Sequence, residues 1–479
     1  MKKKWTFALS FAAMLCLGSV SVSAQNKIEI PNLPSELTPM VENLASQIKS
    51  NSPEAADAFS SFLKKNGKKE EVLLAIGNYF LSKGMLPQAN ECADKLYKDA
   101  PKYVAGLIFA GDVKFAMKDY GVAGQRYDEA IYHDSNLNVA YMKKAQVYKF
   151  VNPEIAKETL LELKSKDPSF AEADRDLASV YYHLNDVANA ISSYESYFKV
   201  VPQAELASLK EYAILLFLNK DYAKSLETVD KILIKDPKDI SLNRMKFYDL
   251  IELERFDEAK DASTKLFGQY VDSLYNFSDY MYKGRLLKKE KDYAGAIADF
   301  NKAINLNPSM LALYKEISDT YERVSEYDKA IDAFKTFLEK IGDKRELTDY
   351  FTYGKIFYSA ASADSIDAEK KKAYIQEGDS AFAEVANKSE SYLGSLWRAR
   401  INALMDPENP NDISKNFYEE TIKRLDGKDN ATSMKECLKY LAFYYMKKDD
   451  NEKAKEYSNK VLAIDPNDAM AKQILQVLK

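Results

Sequence analysis

The 479-residue chain carries 68 basic and 73 acidic side chains, which gives a formal net charge of −5 at pH 7. An acidic balance of this kind gives no general reason to expect nucleic-acid binding. Glycine (16) and proline (14) are both scarce, which is typical of a mostly helical chain with short turns.

The first 24 residues have the pattern of a secretory signal peptide, with lysines at 2–4, an apolar run at 7–17 and small residues at 22–24. The run is shorter than the roughly 20 residues of a transmembrane span. Cys16 follows a leucine instead of the small residue of a lipidation signal. We therefore expect cleavage after Ala24, a net charge of −8, no later membrane span, and export to the periplasm or outer envelope of a Gram-negative bacterium.

A small residue recurs at intervals of 33 to 37 positions over most of the chain. Its members are Ala89, Ala123, Ala156, Ala190, Ser225, Ala259, Ala296 and Ala330. A period near 34 is typical of a helix–turn–helix repeat that stacks into a solenoid.

Other residue types recur with this ladder. Between 275 and 308, Gly284 lies in the first helix, Ala296 and Phe300 lie in the second, and Pro308 closes the unit. The pattern resembles the tetratricopeptide repeat (TPR), and related sets recur in most other units. The resemblance implies an all-α, right-handed superhelical solenoid of stacked helix–turn–helix hairpins, which binds peptides or protein segments on a concave side made of first helices.

The ladder divides the chain into segments of different regularity. A tether and a divergent first hairpin are expected at 25–68, about eight TPR units at 69–345, divergent units at 346–430, and a last unit with a capping helix at 431–479. Terminal units of a solenoid need such caps, because they would otherwise expose an apolar face.

The divergent segment contains an expected inter-helix insertion at 359–369, after which a helix is predicted from about Lys371 to Phe382. Insertions in repeat proteins usually form loops on one face, often near binding sites. A tolerated surface loop explains the insertion equally well.

Residues with catalytic or metal-binding spacing are missing from the sequence. The two histidines, His133 and His183, fall in different repeats, and no set of His, Cys and carboxylates has metal-ligand spacing. Phosphate-binding loops, nucleophile elbows and dinucleotide fingerprints are also absent. The sequence predicts no enzyme, no cofactor and no metal site, and Cys92 and Cys437 are expected to be buried thiols.

Large apolar residues recur four or five positions after the small residue of the first helices. The candidate partner-binding residues in this stripe are Phe115, Phe150, Tyr182 and Phe217. If they face the groove, they form an aromatic channel suited to an amphipathic helix or an extended peptide. The alternative is that they pack between neighbouring first helices.

Later units place cations at the corresponding offsets. These residues are Arg285, Lys288, Lys289, Lys315 and Arg323. In an acidic chain, such a cluster could bind the carboxylates of a partner or an anionic glycan. The alternative is a solvated helix face.

Three tripeptides, which begin at Asp272, Asp364 and Asp379, look like the O-glycan acceptor pattern of exported Bacteroidetes proteins. The chain therefore resembles an exported Bacteroidetes-like TPR protein. We predict a non-catalytic envelope scaffold or adaptor that binds a protein or peptide in its groove. The alternative is an exported glycan- or peptidoglycan-associated binding protein that uses aromatic and basic groove residues.

Overall fold

The computed structural model describes residues 28–364, 366–425 and 430–478. Within these ranges the regular elements are α-helices and short 3-10 turns, and no strand occurs. The predicted signal peptide at 1–24 and Ser365 lie outside the described residues. The chain divides into two compact units, residues 1–245 and 246–479.

Helices of the first unit alternate with short turns. They are α1 (Thr38–Lys49), α2 (Ala55–Asn66), α3 (Glu70–Ser82), α4 (Leu86–Asp99), α5 (Val104–Ala116), α6 (Tyr120–His133), α7 (Asn138–Val151), α8 (Pro153–Lys166), α9 (Ala171–His183), α10 (Val187–Val200), α11 (Leu206–Leu218) and α12 (Tyr222–Leu233). The next helix, α13 (Ile240–Glu252), crosses the division between the units.

The second unit continues the same alternation. Its helices are α14 (Phe256–Gln269), α15 (Phe277–Lys289), α16 (Tyr293–Leu306), α17 (Ala312–Arg323), α18 (Tyr327–Ile341), α19 (Leu347–Ala361), α20 (Ala368–Lys388), α21 (Tyr392–Ala403), α22 (Asp412–Leu425), α23 (Ala431–Lys447), α24 (Asn451–Ile464) and α25 (Ala469–Val477).

First helices pack against the second helix of their own hairpin, as α5 does with α6 and α15 with α16. First helices of neighbouring repeats also touch, including α3 with α5 and α7 with α9 in the first unit and α19 with α21 in the second. The all-α architecture of stacked helical hairpins is therefore confirmed.

Small residues allow the two helices of a hairpin to approach closely. All eight members of the ladder are fully buried, at 0% exposure. A Cβ added to Gly284 would lie 2.6 Å from the Phe300 ring, and one added to Gly111 would lie 2.4 Å from the Tyr127 ring. The small residues and the aromatics are thus two halves of one contact, since each ring fills the space that a side chain would take.

The turn inside many hairpins is built in one way. A residue with positive φ ends the first helix, and the aspartate after it caps the second helix by accepting a hydrogen bond from a backbone N–H three residues on. The pairs are Lys118–Asp119, Asn185–Asp186, Lys220–Asp221, Lys291–Asp292 and Asp449–Asp450. This shared turn gives these hairpins the same geometry.

The divergent segment is more helical than the sequence indicates. An inter-helix insertion is expected at 359–369, but α19 continues to Ala361 and α20 already begins at Ala368. Ala360 and Ala361 are buried, which holds the end of α19 against its neighbours, and Asp367 caps α20 by accepting from the Lys370 N–H at 2.9 Å. The helix expected to end at Phe382 runs on to Lys388.

Candidate partner-binding surface

The aromatic stripe predicted on the first helices divides into two environments. Phe115 and Phe217 are half-buried. Their rings pack against the tyrosine that opens the second helix of the same hairpin, with ring centres 5.6 Å apart for Tyr120 and 5.3 Å apart for Tyr222. These two side chains thus pack within their own hairpins, against the second helix and not between neighbouring first helices.

Phe150 and Tyr182 are in the other environment, with 54% and 47% of their surfaces exposed. The Phe150 ring meets His183 edge to face at 4.8 Å, and the Tyr182 ring centre lies 5.9 Å from the same imidazole. Phe150, Tyr182 and His183 therefore form one exposed group on α7 and α9, which we call the aromatic cluster.

A lysine borders the aromatic cluster. The Lys149 Nζ lies 5.0 Å from the centre of the Phe150 ring and donates to the Ser179 hydroxyl at 3.4 Å. Partial burial and the positive charge of Lys149 lower the pKa of His183 below its usual 6.5. The imidazole is therefore neutral at pH 7, and the cluster presents three uncharged rings.

Position within the repeat accounts for Phe150 but not for Tyr182, which lies four residues after Ala178 and is exposed in a hairpin whose second helix opens with Val187 instead of a tyrosine. Phe115 and Phe217 lie four residues after the small residue of their helix, where they reach the tyrosine of the turn. Phe150 and His183 each lie five residues after theirs. The sequence pattern alone does not distinguish the two offsets, although one further residue rotates a side chain by about 100° around a helix.

A cavity of 190 Å³ lies beside the first helices α3, α5 and α7. It is lined by Ile28, Ile30, Leu74, Asn78, Ala105, Ile108, Phe109, Asp112, Val139 and Lys143. Val139, Lys143 and Phe150 share one face of α7, because they are spaced by four and seven residues. The cavity and the aromatic cluster thus lie along the same face of this helix.

Charged groups at the cavity are paired with one another. The Asp112 carboxylate accepts hydrogen bonds from Lys143 Nζ at 2.6 Å and from the Tyr127 hydroxyl at 2.7 Å. Burial and the neighbouring carboxylate raise the pKa of Tyr127 above its usual 10, so its hydroxyl stays a donor. The cavity is therefore apolar with one polar edge.

Carboxylates surround the basic residues predicted as a second surface. The ion pairs are Arg285 with Glu252 (3.5 Å), Lys288 with Glu316 (2.8 Å) and Asp319 (2.5 Å), Lys315 with Asp349 (2.5 Å), and Arg323 with Asp319 (3.0 Å). The fifth cation, Lys289, lies 4.7 Å from the centre of the Phe256 ring. Most of these pairs join one first helix to the next. The five cations therefore do not form the open positive patch that the sequence suggests.

Within the residues that the structure describes, no group of three or more His, Cys, Asp and Glu side chains is arranged to hold a metal ion. Over the same residues, no helix is both long enough and apolar enough to cross a membrane.

Repeated hairpins of this kind define a class of helical repeat proteins, and comparison with known proteins finds a family model that matches two of them. The tetratricopeptide repeat model matches residues 280–310 and 441–468, which cover most of the α15–α16 hairpin and much of the α23–α24 hairpin. The chain thus contains tetratricopeptide repeats in these two hairpins. Proteins of this family typically act as scaffolds for protein–protein interactions.

A TPR repeat-containing protein of Methanocaldococcus jannaschii is 29% identical to this chain over 245 residues. The match covers 47% of this chain and only 38% of that protein.

Two solved structures are similar at low identity. One is the C-terminal part of a TPR repeat-containing protein from Cytophaga hutchinsonii, with 24% identity, a TM-score of 0.48, and coverage of 55% of this chain and 98% of that one. The other is a TPR protein from Parabacteroides merdae, with 18% identity, a TM-score of 0.37, and coverage of 52% and 98%.

Proposed function

We propose that this chain is an exported, non-catalytic scaffold or adaptor of the cell envelope that binds a protein or peptide on its first helices. The observation that carries the proposal is the aromatic cluster on α7 and α9. Exposed, neighbouring rings supply a large contact area at a small cost in side-chain entropy, and such residues dominate the energetics of many interfaces. Binding of this kind requires no cofactor.

The test compares two variants of the purified chain that lose aromatic side chains from different faces. Phe150→Ala/Tyr182→Ala removes two rings of the cluster, whereas Tyr132→Ala removes an 84%-exposed ring from a second helix, α6. Each protein is cross-linked in envelope extract, and the captured proteins are quantified by mass spectrometry. We expect the double variant to lose about tenfold in capture of its main partners, which corresponds to about 1.4 kcal/mol.

Equal capture by the double variant and by Tyr132→Ala would contradict a binding role for the aromatic cluster. Binding to purified peptidoglycan without capture of any protein would instead support the glycan-binding alternative. The export part of the proposal is tested separately, by N-terminal sequencing of the protein from fractionated cells. That measurement should give a mature chain that begins at Gln25.

A further inference from the structure

Residues 28–34, which we call the strap, lie against first helices instead of forming the free tether that the sequence suggests. Ile28 and Ile30 line the cavity beside α3, α5 and α7. Ile28 also packs against the core cluster that contains Leu107 and Ile108, and Leu33 packs against the cluster of the preceding hairpins. The strap thus places apolar side chains on the surface formed by α3, α5 and α7, which we call the strap groove.

The sequence of the strap explains its conformation. It reads Ile-Glu-Ile-Pro-Asn-Leu-Pro, and the residue before a proline is biased toward an extended backbone. In an extended chain, side chains two positions apart point to the same side, so Ile28 and Ile30 reach the cavity together. Glu29, between them, is exposed.

The strap fills its groove incompletely. A cavity of 190 Å³ stays open beside its two isoleucines, and Ile30 is 58% exposed. In the part of the chain that the structure describes, no backbone hydrogen bond joins residues 28–33 to the helices of the groove. Side chains that face a void lose contacts on that side, so the strap is held less firmly than a packed core segment.

We infer that the strap groove is a binding site for an extended peptide with aliphatic side chains two residues apart, and that the strap is its intramolecular occupant. This inference rests on the proposed function and deepens it, because it assigns a second ligand-binding stretch of the first-helix surface. A free peptide of the stated kind occupies the same groove when the strap leaves it. Lys143 adds a polar contact, since its ammonium has three donors and can serve both Asp112 and a peptide carbonyl.

The strap competes strongly because it is tethered. Only residues 35–37 separate it from α1, and a short tether holds a ligand at an effective concentration on the order of millimolar. The apparent affinity for a free peptide falls in proportion to the small fraction of chains with an open groove. Detaching the strap should therefore strengthen peptide binding.

The experiment uses a fluorescent synthetic peptide with the sequence of residues 27–35 as its probe. Ile28→Asp/Ile30→Asp detaches the strap, and Ser35→Asp/Met40→Asp adds the same two charges outside it as a matched control. We expect the detached variant to bind the probe at least tenfold more tightly than the natural chain, as measured by fluorescence anisotropy. The control should bind like the natural chain.

A groove substitution locates the binding site. Ala105 is half-buried in the cavity wall near the start of α5, where a glutamate is compatible with the helix. Ala105→Glu in the detached background should abolish probe binding while the circular dichroism spectrum stays helical. Equal probe binding by the natural and detached chains, or unchanged binding after Ala105→Glu, would overturn the inference.

A second measurement requires no added ligand. Val139 is 8% exposed in the floor of the groove, and the natural thiols Cys92 and Cys437 are buried, with pKa values that burial raises above 9. Val139→Cys should be alkylated several-fold faster when the strap is detached. An equal rate would overturn the inference, as would protection that rises with protein concentration, because that result assigns the groove to the strap of a second copy.

Failure of this inference is distinguishable from failure of the proposed function. The probe is the chain's own sequence and binds at α3, α5 and α7, whereas the capture experiment changes α7 and α9. If the detached variant does not bind the probe while partner capture is intact, only this inference is overturned and the proposed function is not.

Discussion

Small residues and aromatic rings meet at one point in successive hairpins, and this contact sets the spacing of the paired helices. Gly111 faces Tyr127 and Gly284 faces Phe300, and in both pairs a single added methyl would overlap the ring. Both rings are at most 2% exposed, so they have little room to move away. Stability should therefore depend strongly on these positions and weakly on exposed glycines.

Two glycines of the α5–α6 hairpin provide a matched comparison. We expect Gly111→Ala to lower the free energy of unfolding by about 1–3 kcal/mol, because its Cβ would lie 2.4 Å from Tyr127. Gly121→Ala, with nothing within 4 Å, should raise the free energy of unfolding by about 0.5–1 kcal/mol through helix propensity. Urea denaturation followed by circular dichroism measures both, and equal effects would contradict the close-contact explanation.

The aspartate caps should be interchangeable only with residues that can accept a hydrogen bond. Asp292 accepts from the Gly295 N–H at 2.9 Å at the start of α16. Asp292→Ala should cost about 1 kcal/mol in stability, whereas Asp292→Asn should cost only a few tenths. Thermal unfolding of both variants checks this, and a loss with asparagine as large as that with alanine would show that charge, not capping, matters.

His183 should show a measurable pH dependence. Because partial burial and Lys149 lower its folded pKa below 6.5, the neutral form is favoured in the folded chain. This contribution to stability is present above pH 6.5 and is lost as the pH falls through the folded pKa. NMR titration should give a pKa below 6.5, and Lys149→Met should move it upward. A His133→Gln background leaves one imidazole signal, and a pKa at or above 6.5 would contradict this description of the cluster.

At the scale of elements, first helices are joined by ion pairs as well as by apolar contacts. Lys288 of α15 reaches Glu316 of α17, and Lys315 of α17 reaches Asp349 of α19, whose side chain is only 6% exposed. A buried carboxylate without its cation pays a desolvation penalty. The cations predicted as a binding patch therefore have a structural role in the register of neighbouring repeats.

This role predicts unequal effects of removing two lysines. Lys315→Met should lower the free energy of unfolding by about 1 kcal/mol, a value reduced from that of a buried pair because Lys315 itself is 42% exposed. Lys329→Met breaks an exposed pair with Glu326 and should change it by less than about 0.5 kcal/mol. Equal effects in chemical denaturation would contradict a register role for Lys315.

The periodicity of small residues predicts the hairpins because each ladder position must be small in order to pack. The same reasoning could not place the end of α19, since the alanines after Ser359 suit a helix and a loop alike, and the outcome depends on neighbours distant in sequence. It also could not separate Phe150 from Phe115, because a one-residue change of offset has meaning only once the turn geometry is known.

Two further features depended on tertiary structure. Residues 26–34 are predicted to be a tether because the segment is polar and contains two prolines, although the alternation of Ile28 and Ile30 indicates an extended, one-sided segment. The basic residues are visible in the sequence, but the carboxylates that pair with Arg285, Lys288 and Lys315 lie about 30 positions away and become neighbours only when repeats stack.

At the scale of the whole molecule, the recurring residues supply packing, and we propose that the residues that differ between repeats supply function. Each hairpin contacts chiefly its neighbours, so a repeat array tolerates change at exposed first-helix positions without loss of its fold. In the first unit, those positions carry the aromatic cluster and the strap groove along a single face of α7. We propose that this face, and not the second helices, contacts the partner.

Site-specific photo-cross-linking in living cells tests that claim most directly. A photoreactive phenylalanine analogue replaces Tyr182 on α9 in one strain and Tyr132 on α6 in another, both at exposed positions. We expect a discrete protein partner to be cross-linked from position 182 and not from position 132. Cross-linking to the same partner from position 132 alone, or equally from both positions, would contradict it.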